Sequence, residues 1–286
     1  MPVYNSERYL AASIESVLEQ SFTDFELIIS DNASNDGTAA ICARYAARDP
    51  RIRLLRNPVN LGGNPNYRRV AEAARGEYFK WAASNDLLAP DYVTHCVSAL
   101  DAHPDAVLAF GSTLLFEEDT RQALPYDDGM DLQDSDPIRR FKQVLERMRL
   151  NNVMNGVMRL SALRRSSGLQ DYISSDSLLI AELALQGKVI QVPATYFYRR
   201  MSRFSATRMQ SAEEIRRHHY PTERFGGLFQ QWQFAAGCVR AVLTAKIPPD
   251  DRLRAAAYVA RSLYWQVPRL ARDVRDAFRS YVARNH

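Results

Sequence analysis

Cysteine is scarce in this chain: three residues in 286, Cys42, Cys96 and Cys238, an odd number set far apart. None has the paired spacing of a zinc or dithiol site, so a disulfide framework and thiol redox chemistry are excluded, and reduced thiols in a cytosolic setting are expected. The five histidines, at 95, 103, 218, 219 and 286, show no ligand spacing either and read as surface residues. Long apolar runs are missing. The longest uncharged run, Phe225 to Val239, has 15 residues and contains three glutamines, too short and too polar to span a bilayer. There is no internal repeat, no low-complexity segment and no G-x-G-x-x-G turn, and the last absence argues against a dinucleotide enzyme.

What is present is the ordinary content of a globular protein with a real core, 46% hydrophobic and 24% charged. The length fits one large domain or a domain with an appendage. The net charge of +4 hides an asymmetry. Residues 1–198 hold 20 Lys/Arg against 26 Asp/Glu, a net of −6, and residues 199–286 hold 17 against 7, a net of +10. Basic charge gathered at one end suggests an anionic partner there, a nucleic acid or a membrane surface. The basic half reads as lacking interleaved exposed aromatics and any known reading helix, so no nucleic acid is expected.

The first half alternates helical and strand patterns. Glu7 to Gln20 reads as a helix with Leu10, Ile14, Val17 and Leu18 on one face and Ser6 as N-cap. Strands are expected at "FELIIS" (25–30), "IRLLR" (52–56), "EYFKWAA" (77–83), "AVLAFGSTLLF" (106–116) and "VIQVP" (189–193), with helices between them. That alternation predicts an α/β fold, a mostly parallel sheet covered by helices. Residues 117–136 read as an acidic loop or lid, and "SDSLLIAELALQGK" (175–188) as a helix ended by Gly187. Beyond Phe204 the pattern is helical. Leu253, Ala256, Ala260, Leu263 and Val267 share a face that Leu270, Val274, Phe278 and Tyr281 continue, with arginines opposite. The expected division is therefore a domain over 1–204 and a basic helical extension over 205–286, resting on the core or on an anionic membrane surface.

In an open parallel sheet, ligands collect beyond the carboxyl ends of the strands. Three polar clusters fall there: Tyr4-Asn5, Asp31-Asn32 and Asn85-Asp86. Each alone is as well explained by a solvated turn; three in successive strand positions point to one site. "PVYN", "SVLEQSFTDFELIISDNASNDGT", "NLGGNPNYRRVAEAARGEYFKW", "SNDLLAPDYV" and "SSDSLLIAELALQGK" resemble, in order and spacing, the family 2 glycosyltransferases, over about residues 1–200. The resemblance implies a Rossmann-like GT-A fold and an inverting transferase in cell-surface polysaccharide synthesis. Such an enzyme moves sugar from a nucleotide-sugar donor to a glycan or lipid-linked acceptor in the cytoplasm, at the inner face of a membrane. A catalytically inactive relative that binds nucleotide or glycan as a scaffold is the alternative.

By the same resemblance Tyr4 stacks on the nucleobase, where the other reading is a core aromatic. Asp31 and Asn32 read the base and ribose edge, or Asp31 makes an Asx turn; Asp36 caps the following helix. The glycines of "LGGN" let backbone approach the donor or simply turn a loop. Asp86 is the implied ligand of Mg2+ or Mn2+, with Asn85 reaching ribose or phosphate. The family's other aspartate positions are Ala83 and Asn85 here, which leaves one carboxylate. Asp176 stands at the place of the catalytic base, although a helix dipole also favours an acid there. Arg199, Arg200 and Arg203 stand where relatives close over the diphosphate, or form a solvated basic run. The family motif also follows an apolar strand of about five residues, so an apolar stretch encoded in frame upstream of Met1 is expected.

Overall fold

A computed structural model describes residues 1–127, 129–201 and 229–285, with side chains to residue 278. Arg203, the 204/205 boundary and His218, His219 and His286 lie outside the described residues.

The chain opens with β1 (Pro2–Val3), α1 (Glu7–Leu18), β2 (Leu27–Asp31), α2 (Thr38–Ala46), β3 (Ile52–Arg56) and α3 (Gly63–Ala73). β1 and β3 pair in parallel on either side of β2. All five residues of β2 are buried, as a continuous apolar run covered on both faces requires. Leu10 and Ile14 of α1, with Cys42 and Tyr45 of α2, pack on Val3, Leu27, Ile29 and Ile52. Ser6 takes the N-cap position of α1 but makes no capping bond.

The second half adds β4 (Tyr78–Phe79), β5 (Leu87–Leu88), α4 (Tyr92–Ala102), β6 (Ala106–Phe116), β7 (Leu124–Tyr126), α5 (Pro137–Arg147), β8 (Val157–Arg159), α6 (Leu160–Arg164), α7 (Ser175–Gln186) and β9 (Lys188–Arg200). Its spine is the parallel β6–β9 pair. The flanking β4, β5, β7 and β8, two or three residues each, pair antiparallel. This is the α/β architecture read from the sequence, except that the second sheet is mixed rather than mostly parallel, and two strands differ from their expected bounds. The expected strand 77–83 stops at Phe79, because the chain leaves the sheet to carry Ser84, Asn85 and Asp86 forward. The expected "VIQVP" strand runs on to Arg200, past Pro193 and Ala194 (φ 56°), through a register shift against β6 between Gly111 and Ser112.

The helical region is α8 (Gln230–Thr244) and α9 (Pro249–Asn285), with Pro268 inside α9. Cys238, Ala241, Val242, Ala255 and Val259 join the same core as Leu178, Phe141 and Met158. The expected apolar stripe of α9 is split: Leu263 packs on that core and Leu270 is buried, but most of the stripe faces outward. The seam that packs is Ala255, Val259, Leu270 and Ala277, whereas Leu253 is 72% exposed and Val267, Val274, Tyr264, Trp265 and Phe278 are exposed as well. No described helix is long and apolar enough to cross a membrane.

Candidate active site

β1 and β2 end side by side at Val3 and Asp31, so the loops that follow them start at one edge of the sheet. Hydrogen bonds bind those loops together. Asn5 N donates to Ser34 Oγ at 3.0 Å and Asn35 N to Asn5 Oδ1 at 3.0 Å. Asn5 holds a left-handed φ of 46° to do this, a conformation asparagine tolerates better than most residues. Ser6 Oγ lies 2.9 Å from Ser84 Oγ, which brings in the third cluster. Asp36 accepts from Thr38 N at 3.0 Å and Glu7 N at 3.2 Å, serving the starts of two helices.

Asp31 is buried at the end of β2. Its Oδ1 accepts from Ser34 N at 3.0 Å. Its Oδ2 is buried with no hydrogen-bond partner among the described residues, and Arg56 Nε stands 3.7 Å away. A buried acceptor left unmade costs about 1–3 kcal/mol, so this oxygen is suited to an N–H brought by a ligand. Ala33, Ser34, Arg56, Asn57 and Pro58 line an open cleft of about 450 Å³ at this point. Tyr4 is 43% exposed, so its ring is not committed to the core.

Asn32 has a different place. Its amide donates to Asn60 Oδ1 (2.8 Å) and Gly62 O (3.1 Å), and its carbonyl accepts from Asn57 Nδ2 (2.8 Å) and Leu61 N (3.0 Å). That fills its hydrogen-bonding capacity, so Asn32 shapes the loop 57–62 that walls the cleft. Gly62 turns that loop with φ 92°, where a side chain would be strained. Asn64 then donates to Gln170 O (2.7 Å), Tyr172 O (3.3 Å) and Ser175 Oγ (3.3 Å), tying the start of α3 to the start of α7.

At that second helix start sits Asp176. The N-cap residue Ser174 makes no side-chain capping bond; Asp176 Oδ2 accepts from Asn151 Nδ2 at 3.1 Å. Asp86 accepts from Arg200 N at 2.8 Å through Oδ1. Desolvation pushes its carboxyl up to about 6 against that bond and the charges of Arg199, Lys80 and Arg200. Arg200 is buried: Nε donates to Asn85 O (3.0 Å), Nη1 to Glu117 O (2.8 Å), and the guanidinium lies over Tyr9 (4.1 Å) and Phe116 (4.4 Å). It braces the Asn85-Asp86 turn against the end of β6. Arg199 Nη1 donates to Asn152 Oδ1 at 2.6 Å. Burial pushes the Tyr67 phenol up to about 12, with Asp86 adding, Arg199 opposing and Asp176 adding. Tyr67 O also accepts from Trp81 Nε1 at 3.1 Å, next to the segment that leads to Asp86.

Asp86 is the point, among the described residues, at which the chain fits a divalent cation. Among the described residues no cluster of three or more His, Cys, Asp or Glu could hold a metal. Mg2+ or Mn2+ shared with a diphosphate takes one or two carboxylates, the other ligands being phosphate and water oxygens. Asp86, its charge disfavoured by burial until a counter-charge arrives, suits that single-carboxylate role.

Sequence reasoning missed Asn64, Tyr67, Asn151 and Asn152. Asn64 and Tyr67 lie inside the "NLGGNPNYRR" stretch, a signal that could have found them; nothing local marks Asn151 and Asn152.

The fold and these converging loops define an α/β protein with a candidate site beyond its strand ends. The family model for glycosyl transferase family 2 matches residues 1–169, and the chain belongs to that family. The putative glycosyltransferase EpsE of Bacillus subtilis is 37% identical over 119 residues, 41% of this chain and 43% of EpsE. The chondroitin synthase of Escherichia coli is 34% identical over 97 residues, 34% of this chain and 14% of that protein. The matches thus span less than half the length of these relatives. Among solved structures, Staphylococcus aureus TarS 1–349 in complex with UDP superposes with a TM-score of 0.65 at 15% identity, covering 91% of this chain and 69% of that one. Mannosyltransferase PcManGT of Pyrobaculum calidifontis, in complex with GDP-Man and Mn2+, gives 0.55 at 18%, covering 96% and 73%. The fold is GT-A with a C-terminal helical region.

Proposed function

We propose that the chain transfers a sugar, with inversion, from a nucleotide-sugar donor to a hydroxyl of a glycan or lipid-linked acceptor in cell-surface polysaccharide synthesis. The observation that carries this reading is the Oδ2 of buried Asp31 beside the cleft, which accepts no hydrogen bond from the described residues and has only the Arg56 guanidinium at 3.7 Å. It suits the N–H of a nucleobase, with the exposed Tyr4 ring available to stack on the base. Asn85 and Arg199 extend the donor site toward the diphosphate, and Arg200 holds their turn in place. Mg2+ or Mn2+ on Asp86 would neutralise charge on the departing diphosphate as a Lewis acid. Asp176 takes the proton of the acceptor hydroxyl. That oxygen bonds the anomeric carbon as the carbon–diphosphate bond breaks, and the nucleoside diphosphate leaves with the electron pair.

General-base help is worth about 10²–10⁴-fold, so Asp176→Asn should lower turnover by that order while donor affinity and melting temperature hold. The measurement is Mn2+-dependent hydrolysis of a nucleotide-sugar panel, including UDP-GlcNAc and GDP-mannose, with the product anomer read by NMR. Normal turnover in the variant, or a retained anomer, would sink the assignment. Nucleotide binding with no hydrolysis of any donor would instead favour the inactive scaffold, which the single carboxylate at Asp86 supports.

The membrane contact belongs to the same proposal. The outward stripe of α9 carries Leu253, Tyr264, Val267, Val274 and Phe278, and Arg261, Arg272 and Arg275 flank it. Apolar and aromatic side chains beside a row of cations suit an anionic lipid surface, consistent with a cytoplasmic enzyme at the inner face of a membrane. The domain division at 204/205 is proposed on the same grounds.

A further inference from the structure

The turn between α5 and β8 belongs to none of the motifs that mark the site, yet two of its consecutive side chains hold two of the site's charged groups. Asn151 Nδ2 donates to Asp176 Oδ2 at 3.1 Å. Asn152 Oδ1 accepts from Arg199 Nη1 at 2.6 Å. Their partners come from different elements, the first turn of α7 and the last residues of β9.

The turn is itself held firmly. Asn151 Oδ1 accepts from Met154 N at 3.2 Å. Asn152 N donates to Leu150 O at 2.7 Å, and Asn155 N returns to Asn152 O at 2.9 Å. Val153 and Met154 are buried beneath it. Asn155 O accepts from Lys80 Nζ and, at 3.3 Å, from Tyr92 Oη. Lys80 thereby links the turn to the segment that leads from β4 to Asp86. Asn152 is 4% exposed and its Nδ2 has no partner among the described residues. An amide placed only for stability would have that donor satisfied, whereas here the carbonyl bond to Arg199 has set its orientation.

We propose that Asn151 and Asn152 form a positioning pair for the transfer reaction. Asn151 pins one oxygen of Asp176 and presents the other to the acceptor hydroxyl. Asn152 holds the Arg199 guanidinium toward the diphosphate. This rests on the reading of Asp176 as base and Arg199 as a donor contact.

The test uses the full chain, Mn2+-dependent hydrolysis of UDP-GlcNAc and GDP-mannose, and calorimetric binding of UDP and GDP. A misplaced catalytic group loses on the order of 10²-fold in rate. Asn151→Ala, and the isosteric Asn151→Asp that keeps the shape but lacks the donor N–H, should each lower kcat by about 10–10²-fold with KM and nucleotide affinity unchanged. In an Asp176→Asn background, Asn151→Ala should cost nothing further, since the group it aims is gone. Asn152→Ala should instead weaken nucleotide binding and raise KM about tenfold, because an Arg–oxygen contact loses its fixed geometry. Restoring the carbonyl with Asn152→Asp should recover most of that loss. The proposal is overturned if Asn151→Ala lowers the residual rate of Asp176→Asn by the same factor as in the parent, or if both Asn151 variants turn over normally. It falls together with the base assignment if Asp176→Asn alone is fully active; Asn151 variants that stay active while Asp176→Asn does not defeat the pair alone.

Discussion

Asp86 carries a cost that its neighbours only partly offset. Its carboxyl titrates near 6 in the fold against about 3.9 in an unfolded chain. Between those values the native state keeps a proton that the unfolded state releases, so stability falls as pH rises through about 4–6 and stays at the lower level above. A shift of that size corresponds to at most about 3 kcal/mol. Asp86→Asn keeps an acceptor for Arg200 N and removes the buried charge. It should raise the melting temperature at pH 7.5 and flatten the pH dependence of stability, while abolishing metal-dependent nucleotide binding. An unchanged stability profile would show that the charge is not desolvated, and an unchanged metal dependence would place the ion elsewhere. Asp31 and Asp176 could be singled out from sequence because one ends a strand and the other opens a helix, and Asp86 because an apolar run breaks there into polar residues. Asn151 and Asn152 could not, since their partners lie 25 and 47 residues away and only folding brings them together. The saturation of Asn32 was likewise hidden, because it depends on where the loop 57–62 lies.

At the scale of elements, the end of β9 is the instructive case. Pro193 reads locally as a strand end, but pairing with β6 carries the strand seven residues further, to Arg200. The bulge that makes this possible needs Gly111 on β6. A Cβ there would stand 2.4 Å from Thr195 O and 2.8 Å from a ring carbon of Tyr92. Backbone cannot yield as a side-chain tip can, so Gly111→Ala should destabilise by about 1–3 kcal/mol. It should also weaken nucleotide binding, because Arg199 and Arg200 are carried on the same strand beyond the bulge. A chemical denaturation series together with UDP calorimetry checks both effects; a loss of stability with intact binding would mean that the strand end is positioned independently. Helices and long strands were legible because periodicity and turn residues are local signals. The two-residue strand β5 was not, since nothing but its partner defines it, and β4 was read too long for the same reason.

At the scale of the molecule, charge and exposed apolar surface coincide at one end. Each basic residue near an anionic surface contributes about 1 kcal/mol. The protein should therefore co-sediment with phosphatidylserine-containing vesicles at low salt and be released as salt rises. Tyr264→Ala with Trp265→Ala should reduce the bound fraction several-fold without lowering donor hydrolysis in solution. Failure to sediment at low salt removes the membrane contact. From sequence the face of α9 was legible, but not which way it turned, because a periodic stripe does not say whether protein or another surface covers it. Asn64 has a consequence for how such a chain can be rebuilt. The family match ends at residue 169, and the bonds of Asn64 cross from that segment to the helix start bearing Asp176. Two of the three are made to backbone oxygens, those of Gln170 and Tyr172, which any residue would supply. A chimera that keeps residues 1–169 and replaces the rest needs the same backbone path at the junction, together with Ser175, whose Oγ takes the third bond, and Asp171, which pairs with Arg68.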